Sequence, residues 1–359
     1  MPIIAPKTTG LDKFELNPRE IESVSEVIFE RVFNDSDLAE FHEIETGIDT
    51  ETQIAFANKL GLLGKKSTGC APVATDTGFT LTQKKWVPEL EEFRLVHCQK
   101  QLDPLMKIFR KAKRINPDFF DLVGSQELGV IIAVVEEALK ENIHTKVWFD
   151  VKGVTNATAE ANHLYNVPDL AVLNSFDGLF KQIFTEVGTL AANYVAISAN
   201  QQASYSAQAL ASDEALNIFE KMISRADDRL LSADDSFLLV TRSLAENYRT
   251  TLRHSNLGSG YLEVVEEGRP KLYFDGIEIK VRYDWDRFIK DHQNDGSKYY
   301  LPHRAILTTK SNIPIGTLNA EDLAKLDVFY DRVNKQNIID AAYTLDAKHL
   351  EPYMTVAAY

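Results

Sequence analysis

SQELGVIIAVVEEALKENIHTKVWFD, Ser125–Asp150, is the stretch around which this chain is built. Leu128, Ile131, Ile132, Val135 and Leu139 recur at spacings of three and four, which predicts an amphipathic helix over 125–142. Val130, Val134 and Ala138 add a second stripe, so the helix is expected to be covered on two sides. Ser125 is placed to cap its start, and Glu127 lies in the first turn, where the helix dipole favours a carboxylate. After Asn142 the period changes. Val147 and Phe149 alternate with Lys146 and Trp148, which predicts a strand directly after the helix. An apolar helix running into an aromatic strand is a scaffold element and carries no chemistry of its own.

Upstream, Pro2, Pro6 and Pro18 punctuate an aperiodic segment that reads as an extended arm. It begins at Met1 with no basic-then-apolar run, so neither a signal peptide nor a removed N-terminal scaffold segment is expected. Ile21, Val24, Val27, Ile28 and Val32 predict a first helix, and Glu51 to Leu60 a short second one. Gly61–Leu81 is rich in Gly, Thr, Ser and Pro and reads as a long loop or hairpin projecting from the body. A strand around Phe93, Leu95 and His97 follows. A helix is predicted over Gln101–Lys113, and Asn116-Pro117 looks like a cap and first helical position.

Downstream, Ser175 or Asp177 is placed to cap a helix bearing Leu179, Ile183 and Val187. Tyr194–Ser198 reads as a strand. Ser212-Asp213 opens a helix with Leu216, Phe219, Met222 and Ile223 inward. Phe237–Thr241 predicts a strand and Ser243–His254 a helix. Lys271–Asp286 alternates, with Ile277, Ile279, Val281 and Tyr283 on one face. Strands are further expected at Arg304–Thr309, Val328–Arg332 and Pro352–Tyr359. Helices and strands alternate without a steady βαβ beat, so the fold class is α+β.

The 359 residues hold 44% hydrophobic residues, enough for a sizeable core in one large domain or two moderate ones. Fifty-three acidic against 39 basic residues leave a net charge of −14, which argues against a surface that grips nucleic acid. Two cysteines, Cys70 and Cys98, form neither a disulfide framework nor a zinc pattern, and suit a reducing compartment. The longest apolar run is too short to span a bilayer. Gly61 to Ser67 has two residues between its glycines where a phosphate loop needs four, and Gly258-Ser259-Gly260 lacks the third glycine of a dinucleotide fingerprint. His42-Glu43 and His349-Leu350-Glu351 lack the second histidine of a zinc-protease helix. Cys98 reads as a core residue and Cys70 as a loop thiol without an activating neighbour. Asp234-Asp235 and Glu136-Glu137 read as solvated surface. No catalytic, cofactor-binding or metal-ligating residue is assigned, and no cofactor is implied.

The order of segments carries more information than any motif. KKWVPELEEFRLVHCQKQLD (Lys84–Asp103), the Ser125–Asn142 helix with KVWFD, and SFDGLFKQIF (Ser175–Phe184) together resemble the major capsid proteins of tailed bacteriophages, of the type found in phages of Bacteroidetes-like hosts. FLLVTRSLAENYRTTLR, the turn Phe274-Asp275-Gly276-Ile277, RAILTTKSNIPIGT (Arg304–Thr317) and the close YTLDAKHLEPYMTVAAY extend the likeness from Gly61 to Tyr359. Relatives often have Trp-Phe-Gly-Asp where this chain has Trp148-Phe149-Asp150 without the glycine. The resemblance implies the Hong Kong 97-like capsid fold. Residues 1–45 would be the N-terminal arm and first helix, 46–100 the extended-loop region, and 101–166 a peripheral domain with its spine helix at 125–142. An axial domain would occupy 167–325 and C-terminal return strands 326–359. It also implies a structural, non-enzymatic subunit. Such a subunit assembles with itself into hexamers and pentamers around double-stranded DNA, with portal, scaffold or decoration proteins as partners and no membrane. Encapsulin shells share the fold but usually lack the long arm and large extended loop. An enzyme of unfamiliar α+β fold is the reading from another class, and it would require convergent site residues.

Overall fold

Phe237-Leu238-Leu239-Val240 and Ala305-Ile306-Leu307 are apolar runs without polar alternation, the pattern of strands buried on both faces. They lie side by side at the centre of the larger sheet. The computed structural model describes residues 38–49, 52–57, 81–98, 126–153, 172–190, 192–254, 262–263, 271–319, 327–331, 333–334 and 336–359. In chain order these hold α1 (Leu38–Phe41), β1 (Ile44–Thr46), β2 (Gln53–Ala57), β3 (Leu81–Lys85) and β4 (Glu89–Cys98). Next come α2 (Gln126–Phe149), α3 (Leu179–Thr189), β5 (Tyr194–Val195), α4 (Glu214–Arg225) and α5 (Asp228–Leu231). Then follow β6 (Ser236–Val240), α6 (Arg242–His254), β7 (Leu262–Glu263), β8 (Lys271–Phe274), β9 (Ile277–Val281) and α7 (Tyr283–His292). The chain closes with β10 (Ala305–Thr309), β11 (Ile315–Thr317), β12 (Asp327–Asp331), β13 (Gln336–Ala347) and β14 (Val356–Ala358). Helices and strands mix as the α+β reading requires.

Seven strands pair in the order β5-β14-β10-β6-β9-β8-β7. Because successive side chains in a strand leave opposite faces, the central strands feed two cores. Phe237, Leu239, Ile306 and Ala357 pack with α3, α7 and the end of α2. Leu238, Val240, Leu307 and Val356 pack with α4 and α6. The β8–β9 turn is Asp275-Gly276, with φ of 50° and 82°, the two left-handed positions of the tight turn that matches strand twist.

The second sheet runs β1-β11-β13-β12, with β4 paired to β13 from Glu89 to Cys98. Ile315, Tyr343, Leu345 and Ala347 turn inward to join the core at the end of α2, while Leu90, Glu92, Arg94 and Val96 face outward. β2 and β3 form a hairpin of their own.

Several expectations change. Helix α2 continues to Phe149, through the residues expected to form a strand, and no strand follows directly among the described residues. The reason is burial: Lys146, the polar residue that suggested alternation, is itself buried in an ion pair with Glu91, and Val147, Trp148 and Phe149 are enclosed too. A helix end enclosed on all sides shows no 3.6-residue stripe, and four residues cannot separate the two periods. Ala138, placed in a covering stripe, is exposed, whereas Val135 and Leu139 are buried. The helix expected at 51–60 is strand β2 where described, paired with β3. Tyr283 begins α7 instead of extending a strand, because Trp285, Phe288 and Ile289 recur at helical spacing onto the core. The strand expected at 194–198 stops at Val195, and the terminal strand is confined to Val356–Ala358 after a short 3₁₀ turn at Pro352–Met354. The arm, the helix at 21–32, most of the 61–81 loop, the 101–113 helix, Asn116-Pro117 and Ser125 lie outside the described residues.

Candidate functional site

The sequence assigns no catalytic centre, so the features to weigh are the buried polar joints. The first lies where α2 ends. Asp150 follows the helix and is fully buried. Its carboxylate accepts from the backbone N–H of Val151 at 2.9 Å, Ser175 at 3.2 Å and Phe176 at 3.3 Å. Its carbonyl accepts from Gly178 N at 2.8 Å. Burial pushes the carboxyl up to about 7, against the hydrogen bonds from Phe176 and Ser175 and the charge of Lys146.

Gly178 is the N-cap of α3, and no side chain caps that helix. The expected caps act otherwise: Asp177 accepts from Lys152 N at 3.1 Å, and Ser175 serves as a backbone donor to Asp150. The glycine is required by space. A Cβ there would stand 2.9 Å from Asp150 N and 3.0 Å from the Trp148 carbonyl carbon. Trp148 packs its ring on Trp285 at 4.6 Å, Phe180 at 5.1 Å and His42 at 5.6 Å. WFD and SFDG, separate in the sequence, thus meet as one joint.

Two further joints place an imidazole between a hydroxyl and an acceptor, the order used to activate a nucleophile. His303 Nε2 lies 2.6 Å from the Gln208 carbonyl, so that nitrogen carries the proton, and Nδ1, at 2.6 Å from Ser243 Oγ, accepts from the hydroxyl. Burial holds this imidazole below its ordinary value. The joint pins the start of α6 to the residue that leads into β10. In the other, His349 Nδ1 lies 2.6 Å from Glu186 Oε2 and Nε2 2.8 Å from Thr355 Oγ1. Thr355 and His349 are both 0% exposed, so substrate has no path to the hydroxyl, and the arrangement acts as packing.

The residues weighed in the sequence stay apart. His42 is buried, donates from Nδ1 to the Ile313 carbonyl at 2.8 Å, and is lowered to about 3 by burial. Asp234 and Asp235 are exposed before β6, and Cys98 ends β4. Cys70, Gly61 to Ser67 and Gly258 to Gly260 lie outside the described residues, as do the side chains of Glu136 and Glu137. Among the described residues no group of three His, Cys, Asp or Glu is placed to hold a metal ion, and no helix is long and apolar enough to cross a membrane. Sequence reading missed the His303 and His349 joints because their partners are 60 and 163 residues away.

No family model and no curated protein matches the chain. Solved structures do. The capsid structure of cyanophage P-SCSP1u is similar at a TM-score of 0.53 and 12% identity, over 94% of this chain and 91% of that one. The fold is that of a phage capsid chain. Structures of Microbacterium phage Oxtober96 (93% of each chain) and Mycobacterium phage Ogopogo (92% and 94%) are similar at a TM-score of 0.51 and 12% identity. Few side chains are shared at such identity, so the common feature of this capsid fold is the path of the backbone. The buried joints serve that path.

Proposed function

We propose that this chain is a major capsid protein, a structural subunit and not an enzyme. It assembles with copies of itself into the hexamers and pentamers of an icosahedral tailed-phage head that encloses double-stranded DNA. The likeness to a cyanophage capsid over 94% of the chain carries this reading. The acidic balance supports it, since a net charge of −14 lets a shell face packaged DNA without gripping it. In this reading residues 1–45 are the arm, 46–100 the extended-loop region, 101–166 the peripheral domain on its spine helix, 167–325 the axial domain, and 326–359 the return strands. The spine helix extends to Phe149 and makes the joint between peripheral and axial parts. Portal, scaffold or decoration proteins are the further partners, and assembly takes place in the host cytoplasm. Electron microscopy of the protein, expressed alone and with its gene neighbours, tests the proposal. Closed shells or hexamer–pentamer sheets are expected, and a persistent monomer in both preparations overturns it.

A further inference from the structure

Among the described residues β2 and β3 pair only with each other. A two-stranded ribbon is marginal on its own, so its direction has to be set where it leaves the body. Trp86, just after β3, is fully buried. It sits over Gly316, where a Cβ would stand 2.8 Å from the indole ring and 2.3 Å from Ile48 Cδ1. That residue is a pivot. Two positions earlier, Lys84 Nζ donates to Glu186 Oε1 at 2.6 Å and to the His349 carbonyl at 2.5 Å. The other oxygen of Glu186 accepts from His349 Nδ1 at 2.6 Å, and His349 Nε2 accepts from Thr355 Oγ1 at 2.8 Å. Gln182, one turn earlier on α3, accepts from His349 N at 3.0 Å and donates to the Ala347 carbonyl at 2.6 Å. Hairpin, α3 and C-terminal segment therefore share one chain of hydrogen bonds.

We infer that Lys84, Glu186 and His349 form a latch that fixes the β2–β3 hairpin to the body and makes its seating depend on the C-terminal segment being in place. Trp86 and the bond from Val87 N to Asp346 Oδ2 at 2.7 Å hold the base of the hairpin; an anchor at Lys84, further along the strand, limits its swing about that base. The two acceptors of Lys84 belong to different segments, one on α3 and one at His349, so both are present only when residues 347–355 are docked on α3. The two ends of the latch also differ. Lys84 and Glu186 are 27% and 29% exposed, so water can replace their contact, whereas His349 and Thr355 are enclosed and lose their partners outright. The lysine end is the one that can open without unfolding the subunit. This inference does not rest on the capsid reading.

Amide hydrogen exchange on the dispersed full chain tests it, comparing wild type with Lys84→Met, Glu186→Gln and the double variant. Methionine keeps the apolar stem of Lys84, and glutamine keeps the shape of Glu186. Peptides covering 53–57 and 81–85 should exchange about tenfold faster in each single variant, the factor for losing a charged hydrogen bond of about 1.4 kcal/mol. The double variant should be no faster than the faster single one, because both remove the same joint. Peptides from 349–359 should loosen in Glu186→Gln, while β6 and β10 keep their protection. Three results overturn the latch: unchanged hairpin exchange in Lys84→Met, additive effects in the double variant, or an increase spread equally over β6 and β10.

Discussion

Replacing Gly178 by alanine tests the joint at the end of α2, because the new Cβ sets close packing against the gain from a less disordered unfolded chain. Gly178 has φ −67° and ψ 168°, a conformation any residue adopts. On backbone grounds alone, alanine would stabilise by about 0.4–1 kcal/mol through a less disordered unfolded chain. The surroundings oppose this. The new Cβ would meet Asp150 N at 2.9 Å, the Trp148 carbonyl carbon at 3.0 Å and Asp150 O at 3.1 Å. All three are backbone atoms at the end of a buried helix, so relief requires α3 to move away from α2. Overpacking of this kind costs about 1–3 kcal/mol. The shift also stretches the 2.8 Å bond from Gly178 N to Asp150 O, worth about 0.5–1.5 kcal/mol net. The expected net effect is a loss of about 1–3 kcal/mol, read as a lower urea midpoint with unchanged slope. A Gly178→Ala subunit as stable as wild type, or more so, refutes the close approach of the two helices.

Other consequences follow from the same core. Asp150 titrates near 7 in the folded chain, against about 3.9 unfolded, so the folded state binds the extra proton between those values; the stability it contributes is full near pH 4 and lost as pH rises through about 7. Wild type should therefore lose stability relative to Asp150→Asn as pH rises from 4.5 to 8, read from urea midpoints; identical pH profiles in the two proteins would contradict this. The slope left in the variant balances Asp286 and Asp346, which burial raises, against His42, His303 and His349, which it lowers and which make stability rise with pH up to about 6.5. Trp148→Ala removes a fully buried indole and should cost about 3–5 kcal/mol, so a thermal melt within a degree or two of wild type would show that the aromatic cluster does not hold α2. Lys146→Met leaves Glu91 without its cation in a nearly dry site and should cost about 3–5 kcal/mol, while adding Glu91→Leu should recover most of the loss; a double variant no better than the single one would contradict the pairing.

Much of the larger sheet is legible in the sequence because its signals are local. The Asp275-Gly276 turn between alternating strands, the apolar runs of β6 and β10, and the helical spacing in α4 and α6 depend on neighbours within a few residues. The elements that escape are those whose patterns are set from a distance. The end of α2 looks like a strand because Lys146 reads as solvent-facing until Glu91, 55 residues earlier, is found beside it. Helix α7 hides in the tail of the β8–β9 alternation because Tyr283 continues the strand period by chance before Trp285, Phe288 and Ile289 establish the helical one. Strand β13 is a run of mixed polarity whose alternation is judged only once β4 and β12 lie beside it.

The joint between α2 and α3 shows how residues of capping type can serve another purpose. Read locally, Ser175 and Asp177 are the residue types that cap helices, and Gly178 would be filler. In the folded chain no side chain caps the helix; Asp150 instead collects the N–H groups of Ser175 and Phe176 just ahead of it, and its carbonyl takes that of Gly178. With those donors satisfied, the residue at 178 is chosen by clearance against the backbone of the preceding helix. Chemistry in the catalytic sense would place such a carboxylate in a cleft with room for a reacting group; here it is enclosed by the chain it organises. A buried acid that spends its oxygens on backbone donors fixes an angle between two elements. Under the function proposed above, such an angle would matter beyond the single chain, since a small error within one copy would be repeated at every contact between copies.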